Sequence, residues 1–155
     1  MRYGTLSLLA GIDLGTGTIH HKIFEKHGNV EFIEFLKHID SVYPPKIKIV
    51  IILDNLGVHT SKETQKYLAL VPQRFQFVFT PKHASWLNII ECLFSKMTGS
   101  LLIGMRVSSK EELHERINRY FDEINKMPVI FKWKYKMDEM PGGIGSMIIV
   151  MLIWR

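Results

Sequence analysis

Five aliphatic residues in a row, Ile49-Val50-Ile51-Ile52-Leu53, stop at Asp54. A run this short has the length of a strand, and a strand apolar at every position has to be covered on both faces. The rest of the chain must therefore supply layers above and below it, which points to an α/β architecture. At 155 residues and 18.0 kDa the chain is one domain or a piece of one. Its 46% hydrophobic and 23% charged residues exclude wholesale disorder.

The flanking segments fit that demand. Thr5 to Phe24 reads as a β-hairpin turning at Gly15-Thr16-Gly17. Asn29 is placed to cap a helix whose Phe32, Ile33, Phe35, Leu36 and Ile39 recur at helical spacing, before Pro44-Pro45 stops it. Thr60 or Ser61 caps a second helix that runs to about Leu70. Arg74 to Thr80 alternates Phe75, Phe77 and Phe79 with Arg74, Gln76 and Val78, the period of a strand. Trp86, Leu87, Ile89, Ile90, Leu93, Phe94 and Met97 describe a third helix from Ser85 to about Thr98. Ser108 opens a fourth, with Leu113, Ile117, Tyr120, Phe121 and Ile124 as its inner stripe, ending before Pro128. Strands separated by single helices imply a mostly parallel sheet with the hairpin added antiparallel. No internal repeat or low-complexity linker interrupts the chain, and Met127, Met137 and Met140 read as gap-filling core residues.

Charge and cysteine content narrow the function. Twenty Lys+Arg against 15 Asp+Glu give a net charge of +5, a mild bias toward a polyanionic partner. The lone Cys92 excludes a disulfide framework and a cysteine-based zinc site. The longest apolar run, Met147 to Trp154, has eight residues, far short of the roughly 20 that span a bilayer. A soluble cytoplasmic protein without a membrane partner is expected.

Two acids stand out. Asp54 follows the buried strand, at the carboxyl end where α/β proteins bind ligands; it serves equally well as a turn cap. Glu91 lies within the apolar string Ser85-Trp86-Leu87-Asn88-Ile89-Ile90-Glu91, either on a solvated stripe or as an inward ligand. Two carboxylates on neighbouring elements suit Mg²⁺, which prefers oxygen ligands. A pair of such ions clamps a phosphodiester for in-line displacement, and one more acid is normally needed to bridge them.

The strings Ile-Ile-Leu-Asp54-Asn55-Leu-Gly-Val-His59-Thr and Phe79-Thr80-Pro81-Lys-His-Ala-Ser85-Trp86-Leu87-Asn88-Ile-Ile-Glu91 resemble the catalytic domain of mariner-like DDE transposases of bacterial insertion sequences. The resemblance covers about residues 1–140. It implies a ribonuclease-H-like fold, DNA as partner, and an Asp-Asp-Glu triad binding Mg²⁺ or Mn²⁺. Asp54 matches the second Asp and Glu91 the final Glu, with 36 residues between them. By the same resemblance Asn88 orients Glu91 or nearby backbone, and Lys82, Lys96 and Arg106 are candidates for phosphate contacts. The family's first Asp lies on a strand upstream of Arg2-Tyr3-Gly4-Thr5, and its helix-turn-helix region lies further upstream. The expectation is a truncated transposase without its first strand: a decayed remnant, or the downstream half of a split frame that works with an upstream half or as a homodimer. Such a fragment is expected to be inactive alone.

Other features carry competing readings. Asp13 is a turn residue by the resemblance and, failing that, a substitute ligand. Gly11-Ile12-Asp13-Leu14-Gly15-Thr16-Gly17-Thr18 is similar to the first phosphate loop of actin-like and Hsp70-like ATPases, with an ordinary hairpin turn as the alternative. His20 and His21, adjacent in a strand, face opposite ways and do not share a site. His59 and His83 either approach the acidic crevice or cap loops. Lys132-Trp133-Lys134-Tyr135-Lys136 suits phosphate contacts with stacking, or a half-exposed strand.

Residues 141–155 change character, from Pro-Gly-Gly-Ile-Gly to Met-Ile-Ile-Val-Met-Leu-Ile-Trp. A ribonuclease-H-like sheet without its first strand has a gap between the hairpin and the strand ending at Asp54. This divergent tail either fills that gap, packs outside, or forms no structure.

Overall fold

The computed structural model describes residues 6–26, 28–54, 60–80, 94–97, 99, 108–127 and 147–154. Five strands and three long helices follow in chain order. They are β1 (Ser7–Asp13), β2 (Ile19–Phe24), α1 (Asn29–Val42), β3 (Ile49–Asp54), α2 (Lys62–Leu70), β4 (Phe75–Thr80), α3 (Lys110–Lys126) and β5 (Met147–Trp154).

The strands form one mixed sheet in the order β2-β1-β5-β3-β4. β1 and β2 are the expected antiparallel hairpin, and β3 and β4 the expected parallel pair. The tail strand β5 stands between these two halves, antiparallel to β1 and parallel to β3. The sheet thus has two parallel and two antiparallel pairings, more mixed than the alternation of strands and helices implies. The gap anticipated between the hairpin and β3 is filled by the chain's own residues 147–154.

Period-2 alternation sorts the side chains of β1 and β3 onto two apolar layers. Leu8, Ala10, Ile12, Val50 and Ile52 pack with Ile117 and Phe121 of α3 and with Phe94 and Met97 of the helical residues 94–97. Leu9, Ile49, Ile51 and Leu53 face the other way, against Phe32, Phe35, Leu36 and Ile39 of α1 and Tyr67 of α2. Every residue from Ile49 to Leu53 is at most 1% exposed. The double coverage that this run demands is met.

The helix starts follow their caps. Ser61 accepts from the Thr64 amide (3.2 Å) and Ser109 from the Glu112 amide (3.1 Å). Ser108 also donates to the Glu112 side chain, through its amide at 2.8 Å and its hydroxyl at 2.6 Å. With Arg116 beside it as well, the Glu112 carboxyl is held down at a pKa of about 2. α1 starts one residue earlier than the asparagine reading: Gly28 is the cap, and its amide donates to Glu31 at 2.9 Å. Asn125 secures α3 to the hairpin, accepting from the Ile19 amide and donating to its carbonyl, both at 2.8 Å. Met127 is 84% exposed just past α3, which corrects its reading as a core residue.

Candidate active site at the carboxyl end of β3

Asp54 is the last residue of β3 and pairs in register with Thr80, the last residue of β4. Both parallel strands therefore end level, at the carboxyl edge of the sheet, the edge at which α/β proteins generally bind ligands. The register of β3 with β5 is recorded to Ile52–Val150. Beyond it β5 continues beside β1, as far as Trp154 opposite Leu8. Leu152 is opposite Ala10 of β1. The strand next to β3 on its hairpin side reads Met-Ile-Ile-Val-Met-Leu-Ile-Trp and contributes no carboxylate.

Asp13 occupies a different place. It is level with Ile149 of β5, which is itself level with Ile51 of β3. That is two strands across and three residues along from Asp54, about 14 Å by ordinary sheet spacings. Its side chain is 2% exposed and fully engaged. Oδ1 accepts from the amides of Gly15 (2.8 Å) and Thr16 (3.2 Å), and Oδ2 accepts from the Tyr43 hydroxyl (2.7 Å). The turn role holds, and the substitute-ligand role does not fit this geometry.

The same bonds weigh against a phosphate cradle. The amides of Gly15 and Thr16 point at the Asp13 carboxylate, and the Gly17 amide donates to the Asp13 carbonyl at 2.7 Å. Gly17, at φ 78°, supplies the left-handed residue that the turn needs. A Gly-rich hairpin whose amides are satisfied from within has few left to offer an anion.

The histidine pair divides as adjacent strand residues must. His20 Nε2 lies 2.7 Å from the Tyr43 hydroxyl on the α1 side, while His21 Nε2 lies 2.7 Å from Asn118 Oδ1 on the α3 side. Because the Tyr43 hydroxyl donates to Asp13, it accepts from His20, which fixes the proton on Nε2 of a neutral ring. Burial pushes the pKa of both histidines below the ordinary value; the Asp13 charge works against this at His20, as the Asn118 bond does at His21. His38, 6.4 Å from His20 between ring centroids, is lowered too, mainly by burial. Burial and the Asp13 bond push the Tyr43 phenol far up.

By its alternation the sequence makes Arg74 one polar position of a strand. Instead it precedes β4 with a side chain only 6% exposed. Its Nε donates to Asp40 Oδ1 at 2.7 Å, and its terminal nitrogens donate to the carbonyls of Asp40, Tyr43, Pro44 and Ile47. It ties the carboxyl end of α1 to the start of β4, across the loop that leads into β3. Nothing in a period-2 pattern separates such an arginine from a solvated one. A missing basic residue in the last turn of α1, whose carbonyls need donors, is the usable hint.

The remaining candidates are quickly placed. Lys96 lies on the exposed side of helical residues 94–97, opposite buried Phe94 and Met97. Glu91, Asn88, Lys82, Arg106, His59, His83, Lys132–Lys136, Met137 and Met140 lie outside the described residues. Among the described residues no three His, Cys, Asp or Glu side chains cluster as a metal site would require. None of the described helices is long and apolar enough to cross a membrane.

Comparison with known proteins gives two matches. Residues 1–114 match the family model of DDE superfamily endonucleases. The chain is also 25% identical over 121 residues to the insertion element IS630 uncharacterized 39 kDa protein of Shigella sonnei. That alignment covers 78% of this chain but only 35% of the Shigella protein.

Proposed function

The chain belongs to the DDE superfamily endonucleases, and from that premise we propose that it is a fragment of an insertion-sequence transposase catalytic domain, unable to cut DNA alone. The parent reaction is metal-dependent strand cleavage followed by joining of the freed end to target DNA. Asp54 and Glu91 are the proposed ligands for Mg²⁺ or Mn²⁺, and both fall inside the family match. A carboxylate at a strand's carboxyl end suits a hard cation. When bound, such an ion supplies Lewis-acid stabilisation to a phosphodiester. Among the described residues no three His, Cys, Asp or Glu side chains cluster, so no step of the reaction is assigned to this chain by itself.

The observation that carries the proposal is the family match combined with a carboxylate-free strand next to β3. A ribonuclease-H-like fold is part of the reading. Its support is a central strand parallel to one neighbour and antiparallel to the other, with the hairpin on the antiparallel side. In this reading β5 stands where the family's acid-bearing first strand belongs. An upstream half of the transposase, or a second copy, is the protein partner. DNA binding is expected to be weak, non-specific and steeply salt-dependent, because phosphate contacts release counterions. Asp54 and Glu91 separate this reading from that of a non-catalytic DNA-binding remnant, which needs no metal.

The deciding assay is nicking of supercoiled plasmid by the purified chain with Mg²⁺ or Mn²⁺. We expect no nicking above background. Metal-dependent nicking that disappears in Asp54→Asn would show that the site is complete without another chain.

A further inference from the structure

We infer that β5 is exchangeable between copies of this chain, so that the slot between β1 and β3 takes residues 147–154 from a second copy as well as from its own. The inference concerns the sheet alone and stands apart from the proposed DNA chemistry.

Elements other than β5 frame the slot on both faces. On one face α1 spans it: Tyr43 reaches Asp13 and His20 on the hairpin side, and the Phe32 ring meets Phe77 of β4 at 5.9 Å on the other. On the opposite face α3 spans it: Asn118 and Asn125 hold β2, while Ile117 and Phe121 share a cluster with Val50 and Ile52 of β3. Two strands and two helices thus frame a channel one strand wide. Its occupant must be extended, apolar toward both faces, parallel to β3 and antiparallel to β1.

Residues 147–154 meet that description and are far from the slot in sequence. Twenty residues, 127–146, separate α3 from β5. Fully extended they reach about 65 Å, well over twice the roughly 24 Å width of a five-stranded sheet. The stretch includes Pro141-Gly142-Gly143 and Gly145. Closing the sheet within one copy or between two forms the same strand pairs and the same apolar layers. Only the entropy of the connection differs, which is the condition for swapping an identical element. A strand tethered within reach of its slot has an effective concentration in the millimolar range, so a second copy competes as the protein concentration approaches it.

The test is a cross-strand disulfide between Ala10 and Leu152, which are directly opposite in the β1–β5 register. Opposed antiparallel residues have Cα atoms about 4.5–5.5 Å apart, within disulfide reach. Ala10→Cys and Leu152→Cys are combined with Cys92→Ser, and the full chain is refolded under oxidation at about 10 µM and about 1 mM. The covalent dimer should be scarce at the lower concentration and several-fold more abundant at the higher. Intramolecular disulfide alone at both concentrations would overturn the inference. In parallel, the unaltered chain in light and isotopically heavy forms is refolded together and weighed by native mass spectrometry. Mixed dimers that form on co-refolding but not on mixing already folded protein are the expected result; their absence at 1 mM refutes exchange even if the cysteine variant does not fold.

Discussion

The Tyr43 hydroxyl, just past the end of α1, donates at 2.7 Å to Asp13 at the end of β1, 30 residues away in sequence. One oxygen thereby joins three elements, because it also lies 2.7 Å from His20 on β2. Removing it orphans a buried carboxylate oxygen and a buried ring N–H together. Tyr43→Phe should cost about 1–3 kcal/mol, the range for an unsatisfied buried group. The urea midpoint reports this, and an unchanged midpoint would mean that water satisfies both groups.

Stability should fall in mild acid. His20, His21 and His38 all have pKa values lowered from 6.5 by burial. The folded state therefore holds neutral rings where the unfolded chain takes up protons. Their contribution is fully present above pH 6.5 and is lost as the pH drops through the folded values. A melting series from pH 8 to pH 5 should show a decline beginning near 6.5, reduced in His20→Gln. A flat profile over that range contradicts the assignment.

Arg74 should be the most sensitive position on its side of the molecule. Its guanidinium is the donor for one carboxylate and four carbonyls. Arg74→Ala should cost about 3–5 kcal/mol, as expected when one partner of a buried pair is removed. Arg74→Lys should recover little, because one ammonium cannot reproduce the fork. Equilibrium unfolding of both variants decides the point.

Metal affinity should be weak and should depend on Asp54 and Glu91 together. Calorimetry with Mn²⁺ should give heats that vanish in the double variant Asp54→Asn, Glu91→Gln. Equal heats for wild type and double variant would remove the proposed ligands.

Deleting residues 147–155 should cost several kcal/mol and lead to precipitation. Without β5, both β1 and β3 lose a paired neighbour in the middle of the sheet, and unpaired strand edges invite association. An unchanged melting temperature and solubility would show that the central strand is dispensable.

Much of this architecture was legible because burial writes itself into period. The alternation of Phe75, Phe77 and Phe79, the stripe Ile117–Phe121 and the unbroken run Ile49–Leu53 each have a single comfortable conformation. Position in the sheet is less legible. Residues 147–154 announce a buried strand by composition, but nothing local says which two strands it joins. Polar residues are the hardest to read, since Arg74 and Asp13 look like surface residues until their partners from distant segments are known. At the candidate site, Asp54 could be located from the end of its apolar run; Glu91 lies outside the described residues, so its part rests on the resemblance.

The central place of β5 also has a consequence in time. A ribosome adds about 5–20 residues per second, so some one to six seconds pass between completion of α3 and completion of β5, 28 residues later. Throughout that interval β1 and β3 cannot form their pairings with β5. Chaperones that recognise exposed apolar strands thus have a defined window in which to hold this protein, and it closes when Trp154 is in place.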